Sequence, residues 1–135
     1  VELSPIDVRD PGTIERALTA FSRMPNGGLV VTATPLAAVH RGMIMALAAR
    51  HKLPAVYPYR FFVADGGLVS YGPDTVDQYR RAAGYVDRIL KKEKPGNLPV
   101  QAATKYDLVL NLKTARALGL EIPNTVLVRA NEVIE

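Results

Sequence analysis

The chain has 135 residues, 48% of them hydrophobic and 22% charged, with a formal net charge of +4 and no cysteine. That composition is enough for one domain with a real core, and it excludes a disordered tail, a bilayer-crossing helix, disulfides, thiol catalysis and cysteine metal sites. The basic residues are scattered over expected helix faces; the one cluster, Lys91, Lys92 and Lys94, falls at an expected helix end where cations suit the dipole, so no nucleic-acid partner is expected.

Residues 1–8 alternate loosely and predict a strand. Asp10-Pro11 reads as a helix start, with Asp as N-cap and Pro at the first helical position. Ile14, Ala17, Leu18 and Phe21 then form a one-sided apolar stripe, stopped by Pro25-Asn26-Gly27-Gly28. Leu29-Val30-Val31 is a continuous apolar run and predicts a strand buried on both faces. Thr34-Pro35 opens a second helix whose buried side is expected to carry Leu36, Val39, Met43, Ala46 and Leu47. Its end lies at His51-Lys52, followed by a strand at Ala55–Tyr57.

A short helical turn is expected over 59–64, a turn at Asp65-Gly66-Gly67 and a strand over Leu68–Tyr71. The longest helix runs from about Asp74 to Lys92, with Val76, Tyr79, Ala83, Val86 and Leu90 at helical spacing. Residues 98–104 read as extended and Asp107–Leu110 as a strand. Asn111 caps a helix to Leu118 with Gly119 as its stop, and Pro123-Asn124 opens a last short helix. Strands alternating with helices predict an α/β fold: a mainly parallel sheet with helices on both faces, forming a Rossmann-like lobe.

In such sheets ligands sit beyond the carboxyl ends of the strands, here Thr32–Leu36, Tyr57–Arg60 and Ser70–Asp74. Thr34 either caps its helix or adds a hydroxyl to an anion site at the helix start. Tyr57, Tyr59 and Tyr71 offer an apolar face with a polar tip, suited to a small amphiphilic solute or to packing the sheet end. Arg60 beside them is suited to a carboxylate. No phosphate-binding glycine loop, dinucleotide fingerprint or serine-nucleophile elbow occurs. His40 and His51 are not spaced as a metal pair, and no catalytic constellation assembles, so neither an enzyme nor a cofactor is expected.

The stretch Leu53–Asp74, LPAVYPYRFFVADGGLVSYGPD, resembles the ABC-transporter substrate-binding protein family of tryptophan and tyrosine type, in its C-terminal part. YVDRILK at 85–91, KPGNLPV at 94–100, NLKTARALGLEIP at 111–123 and RANEVI at 129–134 agree with it in order. The resemblance implies a type I periplasmic-binding-protein fold, in which two lobes close on a small organic solute that is delivered to a membrane permease. Within one α/β domain over 1–135, it implies that 1–70 and 105–135 form the ligand-binding lobe. Residues 73–97 would be a crossover packing on an absent N-terminal lobe. It places Thr34, Pro35, Leu36, Tyr57, Tyr59, Arg60, Ser70, Tyr71 and Gly72 at the ligand, with Thr34 standing where the family commonly has an acidic residue. It also implies a periplasmic or other extracytoplasmic location. The chain lacks an initiator Met and reads as cut from a longer protein, and its exposed crossover helix suggests a homodimer of the truncated chain. A Rossmann-like or flavodoxin-like enzyme domain and a ligand-sensing regulatory module are the competing readings.

Overall fold

The computed structural model describes residues 2–135. Thirteen elements alternate: α1 (Pro11–Phe21), β1 (Leu29–Val30), α2 (Pro35–Val39), α3 (Arg41–Arg50), β2 (Ala55–Tyr57), α4 (Arg60–Ala64), β3 (Val69–Pro73), α5 (Thr75–Leu90), a 3-10 turn at Pro95–Asn97, β4 (Tyr106–Asn111), α6 (Leu112–Ala117), α7 (Asn124–Leu127) and β5 (Glu132–Ile134). The five strands form one sheet in the order β1-β2-β3-β4-β5. All neighbours are parallel except β3 and β4, which run antiparallel over five residue pairs from Val69↔Leu110 to Pro73↔Tyr106. The α/β class and the largely parallel sheet are as the sequence implies.

The helix boundaries follow local chemistry. Asp10 accepts from the Thr13 backbone N–H at 2.7 Å, satisfying one of the free donors that begin α1. Asn111 does the same for α6, accepting from Thr114 N–H at 2.9 Å. Gly119 takes φ +71°, and Leu120 N–H reaches back to the Ala115 carbonyl at 2.9 Å, so α6 ends on its glycine.

The core lies between α1, α3 and α4 on one side and the sheet face of Val31, Ala55 and Tyr57 on the other. Ile14 and Leu18 are the buried part of the α1 stripe. Phe62, wholly buried, stacks between Tyr57 and Phe61 at ring-centroid distances of 5.0 and 4.8 Å.

Four expectations need correction. Residues 2–8 form no strand, although Ile6 and Val8 do pack on the core; Val1 lies outside the described residues. The helix expected after Thr34 is two helices, broken at His40 (φ −89°, ψ 12°). The break rotates the buried side to Ala37, Ile44, Leu47 and Ala48, leaving Leu36, Val39 and Ala46 exposed. Val30 is 72% exposed instead of buried, because the opposite sheet face at β1 is open. A fifth strand, β5, closes the far edge where the sequence shows only a chain end.

Helix α5 stands apart. None of its sixteen residues is buried. Val76, Tyr79, Ala83, Val86 and Leu90 lie three and four residues apart, a narrow apolar seam of the kind that meets another helix or a flat partner. Within the chain it is tied by Tyr85, whose hydroxyl donates to the Pro99 carbonyl at 2.7 Å.

Where β2 ends, its chain presses against β3: a Cβ built on Gly72 would stand 1.8 Å from the Pro58 carbonyl oxygen. The obstructing atom is backbone, so no rotamer change relieves it. Gly72→Ala is therefore expected to cost about 3 kcal/mol, the upper end for overpacking. Urea unfolding of wild type and variant measures this, and equal midpoints would show that the two strands separate freely.

Candidate functional site

Two strand ends and one strand start converge on a cavity of about 320 Å³. Pro58, Tyr59, Arg60 and Phe61 come from the β2–α4 junction; Ser70, Gly72 and Pro73 from β3; Asp74, Thr75 and Val76 from the start of α5; and Asp107 from the start of β4. The antiparallel return of β4 is what brings Asp107 to the same end of the sheet as the carboxyl ends of β2 and β3. A larger cavity, about 580 Å³, lies along α3 and the Asp65–Gly66 turn, away from these strand ends. Its charged lining is an Arg41–Asp65 pair at 3.4 Å.

Of the nine residues singled out in the sequence, Tyr59, Arg60, Ser70 and Gly72 line the smaller cavity together. The other five lie elsewhere. Thr34 caps α2, its hydroxyl accepting from Ala37 N–H at 3.2 Å, and Pro35 and Leu36 are the first turn of that helix. Tyr57 is in the core, 2% exposed. Burial pushes its phenol up to about 12, so it stays neutral and serves packing. Tyr71 points to the opposite sheet face from Ser70 and Gly72, and stacks on Tyr106 at 5.6 Å. Three consecutive strand residues cannot share one face, because side chains alternate.

Pro58, Pro73 and Asp74 fall inside the strand-end stretches expected from the sequence but were not singled out there, whereas Phe61, Thr75, Val76 and Asp107 lie outside those stretches. Asp107 carried a usable signal: a strand that returns antiparallel brings its amino end to the carboxyl ends of its neighbours.

Three ion pairs set the electrostatics. Arg60 binds Glu132 with two parallel hydrogen bonds, Nε to Oε2 and Nη2 to Oε1, both 2.6 Å. This fork fixes the guanidinium across α4 and β5. Asp74 accepts from Lys105 Nζ at 2.6 Å while capping α5 through Asp77 N–H at 3.0 Å. The Lys105 hydrogen bond, then the Asp77 amide, hold the Asp74 carboxyl below its usual value. Asp77 pairs with Arg81 at 2.7 Å. Tyr59 and Phe61 stack at 5.4 Å and give the cavity an aromatic wall. No group of three or more His, Cys, Asp or Glu that could hold a metal ion occurs among the described residues.

The family described as ABC transporter substrate binding protein matches residues 1–134. Three solved structures are similar to the chain. A conserved domain protein from Vibrio cholerae is 28% identical with a TM-score of 0.81, over 92% of this chain and 42% of that one. An ABC domain from Streptococcus pneumoniae, in complex with L-Trp, is 26% identical with a TM-score of 0.81, over 93% and 43%. A ligand-free, open substrate-binding protein with adhesive properties from Clostridium difficile is 19% identical with a TM-score of 0.63, over 93% and 41%, a likeness of fold alone. The chain thus spans less than half the length of each. No curated protein matches it significantly.

The Arg60–Glu132 fork generates a pH prediction. The Arg60 hydrogen bond, and secondarily its charge, lower the Glu132 carboxyl against the opposing effect of burial. A carboxyl lowered in the folded state contributes stability above its unfolded value and loses it as pH falls through the folded one. The melting temperature of wild type should exceed that of Glu132→Gln near neutrality, and the gap should close on acidification. A gap unchanged down to about pH 3, below the ordinary glutamate value, would show that the pair contributes nothing.

Proposed function

We propose, for a chain that belongs to the ABC transporter substrate-binding protein family, that it is the ligand-binding lobe of a two-lobe solute-binding protein. The carrying observation is the cavity at the carboxyl ends of β2 and β3, placed where the chain leaves the sheet and returns to it. Residues 73 and 106 face each other in the ladder, which supports reading the chain between them as an excursion out of the lobe. The unburied apolar seam of α5 supports a second lobe as its resting place. On this reading 1–70 and 105–135 hold one side of a cleft and 73–97 crosses to the other.

The solute is small, and the L-Trp held by the Streptococcus domain supports an amino acid or a similar molecule. Tyr59, Arg60, Ser70 and Gly72 contact it or shape its cavity, whereas Thr34, Pro35, Leu36, Tyr57 and Tyr71 act through packing or caps. Closure is a hinge motion biased by the solute's higher affinity for the closed state. The closed form is recognised by a membrane permease, outside the cytoplasm, and the solute leaves unchanged. No helix of the described residues is long and apolar enough to cross a membrane.

A thermal-shift screen of the protein carrying both lobes tests this. A solute at about a hundred times its dissociation constant should add roughly 2.7 kcal/mol to folding stability. Residues 1–135 alone should show a far smaller shift with the same solute. Equal shifts would overturn the two-lobe cleft, and no shift from amino acids, sugars, polyamines or organic acids would overturn solute binding. Isolated residues 1–135 should also self-associate through Val76, Tyr79, Val86 and Leu90. Light scattering that finds only monomer at high concentration would overturn that pairing.

A further inference from the structure

Of the three charged residues that line the cavity, Arg60 and Asp74 are paired within the protein, and so is Asp77 just beyond it. Arg60 is held by Glu132 through two hydrogen bonds, Lys105 by Asp74, and Arg81 by Asp77. The ordinary candidate for reading a ligand carboxylate, Arg60, therefore has its Nε and Nη2 edge taken by Glu132 and its charge matched there. Asp107 is different. It lines the cavity and is half-buried, and it makes no side-chain hydrogen bond or ion pair among the described residues. Lys105, two residues earlier, donates its ammonium to Asp74 at 2.6 Å and feels the Asp107 charge only at longer range, without a hydrogen bond. Asp107 stands opposite Gly72 in the β3–β4 ladder, so no side chain from its cross-strand partner covers it.

A half-buried carboxylate that no protein group hydrogen-bonds or pairs with favours a cation brought by the ligand. The same cavity carries the stacked Tyr59 and Phe61 rings; Phe61 is already stacked on Phe62 and has the Arg41 guanidinium 5.9 Å from its centroid, so Tyr59 is the ring that offers a cationic group or an apolar body its face. Resting on the solute-binding reading above, we propose that Asp107 is the specificity-determining counter-charge for an ammonium or amidinium group of the solute. The solute class is then a cation or zwitterion with an apolar or aromatic body. An anion without a positive group meets one unpaired carboxylate and a lining cation, Arg60, already matched by Glu132, and is disfavoured.

The test uses the two-lobe protein and probes that differ in charge: L-tryptophan, tryptamine and L-arginine against indole-3-propionate, succinate and glucose. Thermal shifts are expected only within the first three. Asp107→Asn should weaken the best of them by about tenfold or more, the scale of a lost hydrogen bond to a charged group. Asp107→Glu should recover part of that loss, and the unliganded melting temperature and circular dichroism of both variants verify folding. Shifts confined to indole-3-propionate, succinate or glucose would overturn this inference while leaving solute binding intact. So would wild-type affinity in Asp107→Asn. If none of the six probes gives a shift, this inference falls. The lobe reading falls with it only if the wider screen of amino acids, sugars, polyamines and organic acids is also silent.

Discussion

The antiparallel pairing of β3 with β4 is the constraint on which the rest depends. Five residue pairs, Val69↔Leu110 to Pro73↔Tyr106, join the strand that ends the first half of the chain to the one that begins the second. Without that ladder β4 and β5 have no sheet to join, α6 loses its anchor, and Asp107 is not brought beside Gly72. The Asp74 N–H bond to the Lys105 carbonyl at 3.0 Å, and the ion pair between the same residues, extend the pairing just past the strands. Exit and return are thus fastened at one point, and the cavity sits beside it.

That arrangement also accounts for the site's electrostatics. Charges placed where a chain crosses out of a sheet would repel or solvate unless matched, and most are matched: Asp74 both caps α5 and pairs with Lys105, and Arg60 bridges α4 to β5 through Glu132. These exposed or half-exposed pairs contribute little stability individually. Their effect is geometric, because two-point hydrogen bonding orients Arg60 and leaves the aromatic wall of Tyr59 and Phe61 beside it.

Much of the fold was legible because its signals were local. Asp10-Pro11, Asn111 and Gly119 mark helix ends through their own backbone chemistry, and the α1 stripe is apolar on one side only. The second helix misled because residues 43–49 are apolar nearly throughout, so the pattern could not choose a face and the break at His40 went unseen. Strand β5 was missed because three residues beside a chain end form a strand only when β4 is there to pair. In the site, the β2 end and the β3 end were found by rule, while Asp107 depended on a long-range return. Tyr57 and Tyr71 were residue types suited to ligands whose direction is set by strand alternation.

The closed ladder at residues 73 and 106 makes the segment between them a loop in the topological sense, however structured it is. Loop-closure entropy rises only logarithmically with length, so doubling such a segment costs about 0.6 kcal/mol. The sheet is therefore nearly indifferent to how much chain the excursion carries. A lineage could lengthen, trim or replace much of the chain between residues 77 and 104 and keep the sheet, its register and the residues that line the cavity. The sheet and the segment that it fastens can drift at separate rates.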